Sequence, residues 1–194
     1  MAMTRLFDED TVIERVLAAF WTQGWHTTSM ADLAKAAKIQ RGSLYHAYGS
    51  KERLFELAFE RYAKRVLDES RQALEGNTAR DAIERFLEVS IGRMCGGIVP
   101  RGCFTTRTAV EGNAIGAPIQ EQLQKLVDQQ EALIVAALSS AAIRQSLALS
   151  PESTARMITT FTRGLAVMDR IYHSPDRLRE LSRDLVDMVL RPQA

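Results

Sequence analysis

Gln40, Arg41, Ser43 and His46 lie within seven positions of one another. Together they carry the chemistry for reading base edges. A Gln amide pairs with adenine and an Arg guanidinium with guanine. Gly42, among them, lets a backbone approach closely. Thr28, Ser29, Tyr45 and Lys51 flank the group, with the hydroxyl and ammonium groups that hold phosphates near helix ends. Between Thr27 and Arg53 stand five cations (Lys35, Lys38, Arg41, Lys51, Arg53) against two acids (Asp32, Glu52), whereas the whole chain carries only +1. The positive charge is therefore local, as a surface facing a polyanion requires.

These side chains need helices to aim them. Ser29 followed three residues later by Asp32 reads as a capping box. Ala31, Leu33, Ala34 and Ala37 keep the helix that follows narrow, so a second can cross it closely. Lys38 and Ile39 fill a tight turn, and Gln40 to Tyr45 begins a short second helix that ends near Tyr48-Gly49. Ser50 caps a third. A helix-turn-helix of this size puts its second helix in the DNA major groove.

Thr28, Asp32-Leu33-Ala34, Ala37, Ile39, Gly42, Leu44-Tyr45, Ser50-Lys51-Glu52 and Leu54 fall in register with one pattern. In these residues the stretch resembles the TetR-type transcriptional repressors, and it covers about a seventh of the chain. Three positions depart from that pattern. Lys38 stands where the family usually has Gly in a left-handed turn, Gln40 replaces the common Ser cap, and Tyr48 replaces Phe. The resemblance implies an all-α chain of about nine helices, with an N-terminal helix-turn-helix domain over 1–49. An effector-binding and dimerisation domain over 50–194 follows, a helical bundle. It implies a homodimer paired through its last two helices on double-stranded palindromic operator DNA. Release would come from a small-molecule effector, with no cofactor.

The rest of the chain fits that layout. Asp8 reads as the cap of a first helix running to about Gln23, with Phe7 and Val12 as a hydrophobic staple. Gly24 reads as its stop. Trp21 and Trp25 are expected to close the small three-helix core. A long helix starts at Ser50, and another runs from about Ala79 to Met94. Gly96 to Pro100 reads as a loop, followed by a short helix over about 102–111. An apolar stripe from Ile119 continues to about Leu147 as one helix. Ser150-Pro151 and Ser174-Pro175 each read as a cap followed by Pro in the first turn. Alternation with a period of two is nowhere sustained, so no strand is expected.

Other chemistry has less to stand on. There is no Gly-rich phosphate loop, no H-x-x-x-H and no C-x-x-C, and the enzyme reading is set aside. Cys95, Cys103 and His173 match no standard metal signature. The segment around Gly102-Cys103 is similar to a TetR subgroup in which a cysteine senses electrophiles or oxidants in some members. Arg101 and Arg107 flank Cys103, and a helix N-terminus lies near it; both features lower a thiol pKa. A buried Cys that packs as a small hydrophobe is the competing reading. Arg107 stands where that subgroup is expected to carry Asn, which points to a different or an anionic effector. Met94, Cys103, Phe104, Arg107, Phe161 and Arg163 are the candidate effector contacts. No run approaches the roughly 18–20 apolar residues of a membrane span, and MAMTRLFDED has no apolar signal region. The expectation is a cytoplasmic protein with no membrane partner.

Overall fold

A computed structural model describes residues 8–96 and 102–192. Phe7, Arg101 and most of the loop expected after Gly96 lie outside them. The described residues form ten helices, α1 (Glu9–Gln23), α2 (Met30–Ala37), α3 (Arg41–Tyr48), α4 (Lys51–Ala73), α5 (Ala79–Cys95), α6 (Phe104–Ile115), α7 (Ala117–Leu138), α8 (Ala141–Ser146), α9 (Pro151–Tyr172) and α10 (Pro175–Val189). The expectation was about nine. The difference arises at Ser139-Ser140, where one long helix was read. There Ser139 Oγ donates back to Val135 O, and Ser140 Oγ accepts from Ile143 N and opens α8 as a separate helix. A Ser that can bond its own backbone competes with helix continuation.

The caps explain most boundaries. Asp8 accepts from Thr11 N, Thr78 from Asp81 N, Ser150 from Ser153 N and Ser174 from Arg177 N. Ser29 and Asp32 form the full reciprocal capping box. Each such cap stabilises its helix by about 1 kcal/mol.

The chain divides into two compact units, Met1–Lys64 with Arg107–Leu123, and Arg65–Thr106 with Gln124–Ala194. α4, α6 and α7 each begin in one unit and end in the other. In the first unit, the core is aromatic. Phe20 and Trp25 pack on Phe55, with ring centroids 4.8 and 5.3 Å away, and Trp21 meets the Tyr62 ring edge-on at 5.2 Å. Both tryptophans are buried, in the core role expected of them. In the second unit, α5 lies at the centre, and Ile83, Phe86, Leu87 and Ile91 join Ile158, Leu165, Leu178 and Val186 in one apolar cluster. The end of α10 is tied down by a short antiparallel bridge, Ala148 N donating to Val189 O at 2.9 Å and Arg191 N to Ser146 O at 2.8 Å.

Lys38 has φ 59 and ψ 41, the left-handed conformation. Its N–H bonds Lys35 O and the next N–H, of Ile39, reaches back to Ala34 O, the paired closure that usually ends on Gly. A side chain in this conformation is strained, and Lys38 is exposed, so little of its side chain is buried in exchange. Lys38→Gly should therefore raise stability by about 0.5–1 kcal/mol, less whatever Gly gives back as unfolded-chain entropy. Thermal melting checks this, and a lower melting temperature would contradict it.

Candidate nucleic-acid interface

α3 has two faces. Leu44 and Tyr48, one turn apart, are its only buried residues. They point the helix's inner stripe at the first unit's core. Gln40, Arg41, Gly42, Ser43, Tyr45 and His46 are all exposed on the other side. A helix held by so narrow a stripe leaves its polar side chains to solvent, and nothing in the fold requires their types. The Arg41 guanidinium stands 5.5 Å from the Tyr45 ring centroid, one turn along. That contact holds a flexible cation near the start of the helix. Gln40 occupies the cap position, but its side chain makes no capping bond. Its amide is therefore left for another partner.

The flanking residues differ from one another. Ser29 is exposed, with its hydroxyl bonded to Asp32 Oδ2 at 2.5 Å. Thr28 is buried, and its hydroxyl donates to Gly24 O at 2.5 Å. Lys51 is half-buried, its ammonium 2.5 Å from Trp25 O and 4.1 Å from the Trp25 ring centroid. Burial lowers its pKa, against the pull of Glu52 and Glu111. Thr28 and Lys51 thus hold the turn between α1 and α2, and Ser29 and the α3 side chains form the exposed surface.

Among the effector candidates, the structure brings Cys103 and Arg163 together. Arg163 Nη1 lies 3.5 Å from Cys103 Sγ, and its Nη2 donates to Gln130 Oε1 at 2.7 Å. Gln130 Nε2 donates in turn to Ser70 Oγ at 3.3 Å. The polar row therefore joins α9, α7 and α4 to the turn before α6. Burial by itself pushes the Cys103 thiol up. The Arg163 guanidinium and hydrogen bonds from Thr106 and Thr105 outweigh it and leave the thiol below its ordinary value. Cys95 goes the other way: burial and its bond to Asp169 push it up to about 12. Gln130 was not foreseen, because an isolated Gln on an apolar stripe gives no sequence signal. Met94 and Phe104 are core residues. Phe161 lies apart from Cys103's polar row, in an apolar groove between α9 and α10 with Met157, Leu181 and Met188. Arg107 is directed at α1, donating to Trp21 O, Thr22 O and Gln23 O. Among the described residues no three His, Cys, Asp or Glu side chains gather as metal ligands, and no helix is long and apolar enough to cross a membrane.

A helix-turn-helix whose second helix is polar outward, followed by an all-helical bundle, defines the class of one-chain helical regulators. Residues 13–58 match "Bacterial regulatory proteins, tetR family", and residues 79–185 match "Tetracyclin repressor-like, C-terminal domain". The chain belongs to the TetR family of bacterial regulatory proteins. It is 28% identical over 102 residues to the HTH-type transcriptional repressor ComR of Escherichia coli K12, covering 52% of this chain and 49% of that one. It is also 28% identical over 123 residues to the E. coli K12 repressor NemR, covering 61% and 59%. These matches span about half to three-fifths of the relatives' own length. The structure of reduced E. coli NemR superimposes with a TM-score of 0.81 at 22% identity, covering 96% of this chain and 100% of that one. A cysteine-substituted TetR family regulator, CifR, solved with a 26-bp double-strand operator DNA, gives a TM-score of 0.73 at 25% identity, covering 97% and 100%.

Proposed function

We propose that this chain is a homodimeric transcriptional repressor that binds a palindromic operator and is released by a small-molecule effector. Residues 1–49 read DNA, and residues 50–194 hold the effector and dimerise. The observation that carries the reading is α3: exposed Gln40, Arg41, Ser43 and His46 standing on buried Leu44 and Tyr48. The names of ComR and NemR as repressors and the CifR operator complex support it.

The dimer has its own support. α9 carries one apolar stripe inward, with Ala155, Ile158 and Leu165 buried, and a second one outward. The outward stripe runs Met157, Phe161, Gly164, Met168, Ile171, at the three-and-four spacing of a helix pair. A side-chain carbon at Gly164 would meet open space, so a second helix can approach there. On α10, Met188 is 70% exposed. A helix apolar on two sides is one buried on two sides.

Gel-shift titration against the duplex upstream of the gene tests the reading, with excess non-specific duplex present. Arg41→Ala should relax base preference at one operator position by about 1–3 kcal/mol. Unchanged preference would move the reading face off α3.

Arg163 beside Cys103 favours a second reading, in which the trigger is a thiol modification at Cys103. The thiolate is the nucleophile, and Arg163 favours it at Cys103 while burial and Asp169 disfavour it at Cys95. Cys103 is buried and Cys95 only partly so, so a reagent has to reach Cys103 before that preference acts. N-ethylmaleimide should release wild-type protein from the operator and leave Cys103→Ser bound. Equal release from both proteins would sink the thiol trigger.

A further inference from the structure

α1 ends without a cation of its own: its last turn has no basic residue. Its last four carbonyls lack helical partners by construction, and they carry the negative end of the helix dipole. Gly24 N–H takes the Phe20 carbonyl at 2.8 Å. The other three, Trp21, Thr22 and Gln23, all accept from the Arg107 guanidinium of α6, at 3.1, 3.2 and 2.8 Å. Glu111, one turn further along α6, accepts the Trp25 N–H at 2.8 Å and lies 3.7 Å from Arg107 Nε. Gly24 has φ +89, and a side-chain carbon there would collide with both Arg107 and Glu111. The clasp thus closes over a residue whose backbone conformation calls for Gly, and any side chain there would push Arg107 and Glu111 aside.

From this geometry we infer that Arg107 and Glu111 are positioning residues for operator binding. They clamp the α1 terminus and the turn that delivers Ser29 and α2, and they touch no DNA themselves. The inference rests on the DNA-binding reading above. The same turn is also held by Lys51 on Trp25 O and by Thr28 on Gly24 O. Residues 24–29 are thereby fixed by α1, α4 and α6 together. α2 carries the capping box at its start, and α3 follows it after one short turn, so a displacement at residues 24–29 displaces the reading helix. Arg107 also lies one helical turn past Cys103 along the chain. A change in the turn before α6 therefore reaches the clamp through a single turn of helix.

The molecule carries its own reporter. Its two tryptophans, Trp21 and Trp25, are both in the clamp. The experiment measures fluorescence anisotropy on a labelled operator duplex and on a scrambled duplex of equal length, with tryptophan emission and light-scattering mass in parallel. Arg107→Ala and Glu111→Ala should each bind the operator about tenfold or more weakly, each having lost charge-assisted hydrogen bonds. Mass should be unchanged and emission shifted. The double variant should be no weaker than the weaker-binding single one, because the two act as one unit. Glu111→Gln keeps an oxygen for the Trp25 N–H and should recover most of the affinity. Folded variants that bind the operator within about twofold of wild type would overturn the inference. If Arg107→Ala does not fold, Glu111→Ala and its Gln rescue decide the matter. Wild-type protein that does not distinguish the operator from the scrambled duplex would sink the DNA-binding reading itself, and the clamp's role with it.

Discussion

If the proposed dimer is built on α9 and α10, Met188→Asp should leave a folded monomer. Met188 is 70% exposed in the single chain, so the fold loses almost nothing when it goes. In a dimer built on α9 and α10, the same position is covered. A carboxylate there must be desolvated in a largely apolar groove that already holds Asp184, and several kcal/mol are set against association. Operator affinity should fall on the order of a thousandfold, because two linked half-site contacts become one. Light scattering at micromolar concentration and thermal melting separate the two effects. A variant that stays dimeric with wild-type affinity would place the dimer contact elsewhere.

Phe55→Ala should have the largest effect on stability. Phe55 is 1% exposed and its ring touches those of Phe20, Trp25 and Phe59. Three aromatic rings around one position are too stiff to collapse into the gap. The cost should be near the upper part of the usual range, about 3–5 kcal/mol. That is a large share of the ~5–15 kcal/mol that holds a domain together. Operator binding should be lost with it, since Leu44 and Tyr48 of α3 are anchored in the same unit. Chemical denaturation with tryptophan emission as the probe reads the effect directly, both tryptophans being in that core. A loss under about 1 kcal/mol would mean the core repacks around Ala, contrary to the crowding described.

Local signals were legible in the sequence, and distant ones were not. The capping box at Ser29, the two Ser-Pro starts, the Gly24 stop and the core tryptophans all depend on near neighbours or on residue type. Each follows from side-chain chemistry within four residues. Ser140 carried the same kind of signal and was overlooked because the apolar stripe runs through it. Arg107 is the instructive case. Its carbonyl partners lie 84–86 residues back along the chain, and nothing at position 107 says that its partner is a helix end. Thr28 and Lys51 show a related limit. Their types suit phosphate contact, but the fold turns the Thr28 hydroxyl and the Lys51 ammonium onto the protein's own backbone. Residue type gave the range of partners, and only packing selected among them.

The unit that holds the reading helix draws residues from two separate stretches of chain, Met1–Lys64 and Arg107–Leu123. Modularity is therefore lower than the order of helices suggests. A chimera joining residues 1–49 to another regulator's bundle would inherit every letter of the recognition segment and lose the guanidinium that closes α1. Swapping specificity between relatives would require carrying α6 along with the first three helices.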